Sequence, residues 1–228
     1  MALRIFETDP DAKPKARNPF MDDVVGKFKG GKLVGRRPMA LSEWRVISDD
    51  PDVADRIAEL FGGEAVDSGD EEARDRYEVM SEAESVLVVV ESAEALRSRM
   101  ALYGLQGPLH VCDGAYLIAG HPEEDRIGQP CECPRGLQDR KDKAKSGTGP
   151  KPDISLRFRL KDDPELGYFV FGSGSWSLVN DLPEIERQLA DADGPVIAEL
   201  RLTLVEYTTK KGRDVSYTRP EIVIKGAA

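Results

Sequence analysis

The segment Ile154–Leu160, ISLRFRL, alternates apolar Ile154, Leu156, Phe158 and Leu160 with polar residues. A period of two puts these four side chains on one face of a strand, so the segment demands a sheet with one buried side. The residues after it are equally patterned. GYFVFGSGSWSLV (residues 167–179) predicts a second strand broken by glycines. NDLPEIERQLADADG (180–194) predicts a helix started by Asn180 or Asp181, with Leu182, Ile185 and Leu189 on its buried face and Gly194 ending it. Residues 196–224 predict a long strand, a KKGRD turn and a return strand.

The first half adds a helix and several strands. In SDDPDVADRIAELFGG, Asp50 can cap, Pro51 suits the first helical position, and Gly62 and Gly63 stop the helix. Val53, Ile57, Leu60 and Phe61 share one face. RYEVM, SVLVVV, SRMALYG and PLHVC predict strands, with GAYLIAG a further candidate. The expected fold is α+β: mostly antiparallel sheet with a few helices. The order strand, strand, helix, hairpin suggests a small curled sheet or partly open barrel for the C-terminal part, and an OB-like topology is one candidate.

Four regions follow. Residues 1–38 are dense in Pro, Gly and Lys and predict an extended arm that orders only where Phe20, Met21, Phe28 or Leu33 find a pocket. Residues 39–120 form an α+β part, 121–153 a basic, cysteine-containing loop, and 154–228 a β-rich part expected to be one compact unit with 39–120. There is no run of 18 apolar residues and no apolar leader, so a cytoplasmic protein without a membrane span is expected.

Charge is unevenly spread. The net charge is −10, and from Glu43 to Glu94, 17 Asp/Glu stand against 4 Lys/Arg. Basic excess is confined to residues 1–38 (9 against 5) and 135–151 (6 against 2). Such a surface opposes tight duplex binding by the whole molecule, while the basic segments suit a nucleic acid, an acidic protein face or plain solvent.

The chain has three cysteines and two histidines, and all five fall within residues 110–133: His110, Cys112, His121, Cys131 and Cys133. Three cysteines are too few for a disulfide framework. Zinc favours tetrahedral sulfur and nitrogen donors, and a Cys3His set drawn from these residues satisfies it. Pro130, Pro134 and Gly136 suit the turning that brings a C-x-C pair to one ion. The alternative is two loop cysteines and one buried strand cysteine. Any zinc here is expected to be structural, pinning the long loop: Asp113 and Glu132 are available as a general base, but acidic residues are common throughout the chain and no catalytic constellation is visible.

Other motifs carry less. FGSGSWS lacks the Lys-Ser/Thr of a phosphate loop, and a strand bulge or tight turn explains it better. There is no G-x-S-x-G or H-E-x-x-H, and a Ser-His-Asp triad does not fit a chain whose two histidines both stand among the candidate ligands. Phe158, Tyr168, Phe169, Phe171 and Trp176 beside Arg157 and Arg159 resemble a base-stacking platform, although such residues more often alternate inward as core.

CDGAYLIAG, GQPCECP and ISLRFRL…GYFVFGSGSWSLVNDLPEIERQL, taken in this order with IAELFGG and the terminal hairpin, resemble the recombination directionality factors of large serine integrases from actinophages and actinobacteria, including those of Streptomyces temperate phages. That resemblance implies a phage-encoded, non-enzymatic protein in the bacterial cytoplasm, monomeric when free. It would bind the integrase at its coiled-coil and zinc-domain region, touch DNA mainly through it, and turn integration (attP × attB) into excision (attL × attR). The family pattern has a fourth cysteine where this chain has GTGPKP, near Gly149–Lys151. His110 or His121 replaces it as a ligand, or the site binds no metal. Two other classes stay open: a single-stranded-DNA-binding accessory with an OB-like domain, and a metal-dependent hydrolase.

Overall fold

A computed structural model of the chain describes residues 19–34, 37–69, 75–209, 212 and 214–228. The arm expected over 1–38 lies outside these for residues 1–18, 35 and 36, as does most of the KKGRD turn. From Val24 the arm expectation is corrected: Val24–Val34 is strand β1, paired antiparallel with β2 (Arg37–Ser48) and parallel with β9 (Tyr168–Ser173). The glycines that looked like loop signals are there for packing. A side chain at Gly26 would meet the Phe169 ring at 2.8 Å, and one at Gly30 would meet Leu202 at the same distance.

The helix α1 (Pro51–Phe61) begins as its sequence dictates, with the Asp50 carboxylate accepting from the Asp52 amide and Pro51 in the first turn. It buries Val53, Ala54 and Ile57. Short strands β3 (Ala65–Asp67) and β4 (Tyr77–Met80) follow, then β5 (Ser85–Val90), β6 (Leu96–Gly104) and β7 (Gly107–Cys112). After helix α2 (Leu137–Lys145) come β8 (Lys151–Leu160), β9, helix α3 (Trp176–Ala190) and the long hairpin of β10 (Val196–Thr208) and β11 (Asp214–Ala227).

These strands make one sheet, ordered β11-β10-β5-β8-β9-β1-β2-β4-β3, with the β6–β7 hairpin branching from β8. Among the described residues every strand pairing is antiparallel except β1–β9. The fold is therefore α+β with a mostly antiparallel sheet. The C-terminal strands do not close an OB-like barrel of their own, because β5 from the first half stands between β10 and β8. The sheet curls instead, and β2 comes to lie against β10 and β11.

Three helical details differ from expectation. Residues 137–145 are helical although the helix buries no residue of its own, so burial does not select it. Helix α3 starts at Trp176, not at Asn180 or Asp181, and carries Pro183 inside it. An interior proline costs about 3 kcal/mol. Burial of Leu178, Leu182, Ile185 and Leu189 on one face offsets it. Gly172–Gly174 stands just ahead of this helix, while GAYLIAG forms only isolated bridges, Cys112 to Leu117 and Tyr116 to Pro130.

The core inside the curl is aromatic. Phe28 meets Trp44, Phe61, Phe158 and Phe169 edge-on, with centroids 5.4–6.3 Å apart, and Trp44 meets Phe171 in the same way. Truncating Phe28 to Ala removes the shared ring of four such pairs. It is expected to cost about 3–5 kcal/mol, read as a lower urea midpoint with little change in slope.

A second interaction ties β10 to β11. Glu221 is buried opposite Arg201 and takes Arg201 Nε at 2.5 Å and Arg219 Nε at 2.8 Å. Burial alone would raise this carboxyl, but the two guanidinium groups together hold it below its ordinary value. A carboxylate depressed in the folded state stabilises above its unfolded pKa, and that stability is lost as pH falls through the lower folded value. Wild type is therefore expected to lose its margin over Glu221→Gln as pH drops below about 4, measured by denaturation across pH.

Candidate metal centre

Strand β7 ends in His110, Val111 and Cys112, and β6 holds it in register by pairing Met100 with Cys112 and Leu102 with His110. Alternation would place His110 and Cys112 on the same side. The chain then turns at Asp113–Gly114. The Asp113 carboxylate accepts from the Ala115 and Tyr116 amides, and Gly114 takes φ 101°. The C-x-C segment returns alongside, with the Cys131 amide donating to Ala115 C=O at 2.8 Å. Glu132, between the two cysteines, sits at φ 59°, a left-handed conformation uncommon for a non-glycine residue.

These two turns bring His110, Cys112, Cys131 and Cys133 together, with their donor atoms all within 4.8 Å of one another. The three cysteines are free thiols. Cys112 Sγ lies 3.9 Å from Cys133 Sγ, which is 3.4 Å from His110 Nε2. A tetrahedral ion with metal–sulfur bonds near 2.3 Å and a metal–nitrogen bond near 2.05 Å requires edges of about 3.8 Å and 3.6 Å. The donor set thus has nearly the size of such an ion's ligand shell.

Electrostatics points the same way. Burial pushes the Cys112 thiol up to about 12, and Cys133 and Cys131 add to the rise. Burial and Cys131 likewise raise Cys133. Cys112 and Cys133 thus favour their protons until a cation compensates the thiolates. Burial, with His121 and Arg126, lowers His110 and favours the neutral ring that a metal needs.

His121 stands behind the cluster and is not part of it. Its Nδ1 accepts from the Val111 amide at 3.3 Å, its Nε2 is buried without a hydrogen-bond partner among the described residues, and its ring meets His110 edge-on at 5.4 Å. Of the two histidines, His110 is the one among the thiols. Met100 and Leu117 pack under Cys112 and Cys131, with Trp176 at the side, so the centre has a small apolar floor separate from the main core.

Arg140 is the residue that sequence reasoning missed. From α2 it donates to Pro134 C=O at 2.5 Å and to Gly114 C=O at 2.6 Å, joining the turns that carry Cys112 and Cys133. In a run of Arg and Lys nothing in the sequence distinguishes it. The aromatic platform is not assembled: Phe158, Phe169 and Phe171 are buried, and Tyr168 is covered by Arg157 and Arg159 at 3.7 and 4.4 Å from its centroid.

The family model described as Gp3-like, recombination directionality factor-like, matches residues 13–225. No solved structure matches the chain. The match takes in the curled sheet, the four-residue cluster and the terminal hairpin, and the chain belongs to the recombination directionality factor-like family.

Proposed function

We propose that this protein binds a phage serine integrase and switches it from attP × attB integration to attL × attR excision. The family match across residues 13–225 carries the reading. The resemblance in CDGAYLIAG and GQPCECP favours an actinophage or actinobacterial origin and action in the bacterial cytoplasm. The factor makes and breaks no covalent bond. It acts by preferring one arrangement of the integrase coiled coil. Moving such an equilibrium from about 1:99 to 99:1 takes a preference of about 10⁴-fold. A net charge of −10 suits a partner that works beside DNA-bound protein without competing strongly for the DNA.

In this reading His110, Cys112, Cys131 and Cys133 hold a structural zinc ion. Four protein donors fill a tetrahedral shell and leave no position for a water nucleophile, so the cluster favours a structural role over a hydrolase. The ion clips the 113–134 excursion to the end of β7, and Arg140 braces it from outside.

Purified integrase is expected to recombine attL × attR only when this protein is added, and attP × attB less well in its presence. Unchanged product yields in both reactions would sink the proposal. Mass spectrometry under native conditions is expected to find one zinc per wild-type chain and almost none in Cys131→Ser. Arg140→Ala should retain the ion with affinity lower by about 10–100-fold, measured by competition with a chelating dye.

A further inference from the structure

The β10–β11 hairpin outruns the sheet that anchors it. Strand β5 pairs with β10 only over Val196–Arg201, and the last contact on that side is the Leu202 amide donating to Glu84 C=O at 2.9 Å. Beyond it, Thr203–Thr208 pairs only with β11 among the described residues.

The register shows which main-chain groups are left over. Leu202 points its N–H away from β11, so Leu204, Glu206 and Thr208 do the same by strand alternation. Pro220 confirms the phase. It sits opposite Leu202, where the β11 nitrogen faces outward and no donor is required. Among the described residues, the amides and carbonyls of Leu204, Glu206 and Thr208 thus form a free edge continuing the line of β5.

That edge carries no lysine, proline or bulge. Natural sheets blunt exposed edges with lysine, proline or bulges. Here the strand reads TLVEYT, and its pairing with β11 is regular from Ala198 to Thr208. One face of the ribbon is apolar: Val205 stands opposite Tyr217, and Tyr207 opposite Val215. Tyr207 and Tyr217 are 51% and 41% exposed, and Leu204 on the other face is 60% exposed. The outer edge of β11 lacks one donor at Pro220, opposite Leu202 at the base of the ribbon.

We propose that the free edge of β10, Thr203–Thr208, is a docking site for an extended segment of the integrase, which adds to the sheet as a strand antiparallel to β10. The main-chain row selects an extended occupant, since a helix has no free groups along its length to answer it. The Val205–Tyr207–Val215–Tyr217 stripe selects apolar side chains on one side of that segment. The integrase as partner rests on the function proposed above, whereas the edge itself rests on the register.

Glu206→Pro tests this. Its nitrogen faces outward, so the β10–β11 ladder keeps its bonds while the edge loses a donor and gains a ring. Surface plasmon resonance with purified integrase is expected to show binding weakened by at least about tenfold. Glu206→Ala, which keeps the amide, should stay within about twofold of wild type. Thr208→Pro repeats the test nearer the tip, should Glu206→Pro melt below wild type. Proline variants that fold and bind like wild type would overturn the docking site and leave the integrase reading intact. Wild type that fails to bind integrase would overturn both. Wild type that sediments as a dimer, with Glu206→Pro a monomer, would assign the edge to a second copy of this chain and overturn the proposal.

Discussion

Strand β8 has two different neighbours along one edge, and the rest of the molecule depends on that. Its C-terminal end pairs with β5 through Leu160 and Arg159, and its N-terminal stretch, Lys151–Leu156, pairs with β6. The chain bends between β5 and β6 at residues 91–95, so one edge of one strand feeds two directions. The β5 direction leads to β10, β11 and the projecting ribbon. The β6 direction leads to β7, whose last residues supply His110 and Cys112. Strand β8 can hold both because its alternate residues from Pro152 to Leu160 are all buried. A continuous buried face fixes register, since a slip by one residue would turn every apolar side chain to water.

The parts of this fold legible in the sequence are those where burial has a period. β8, β5 and the face of α1 announced themselves because one side of each meets the core. Strand β1 did not, since its inward positions include Gly26 and Gly30, which leave room for Phe169 and Leu202 and add no hydrophobic signal of their own. Helix α2 did not, because its order comes from Arg140 and the turns it joins. The start of α3 was hidden by Pro183, which reads as a first-turn residue until Leu178 is seen to be buried.

The cluster was legible in composition and not in detail. Five candidate ligands within residues 110–133 pointed to a metal, but the choice between His110 and His121 turns on how the chain passes behind β7. Alternation along β7 puts His110 on the side of Cys112, whereas His121 returns from a turn and is engaged by the Val111 amide. Sequence spacing carries no information about that return path. The same holds for Arg140, whose two carbonyl acceptors are 20 residues apart, Gly114 and Pro134.

Pro220 takes one outward donor from the β11 edge, at the base of the ribbon. A sheet with both edges open can add copies of itself head to tail without limit, the geometry of a fibre, whereas a heterologous chain of contacts stops wherever one of the two edges is closed. The proline breaks the β11 row opposite Leu202, so a strand added on that side finds an uninterrupted row only along Asp214–Thr218. Head-to-tail growth through this hairpin is thereby penalised at one position, a local brake in a protein that exposes apolar residues on a bare strand.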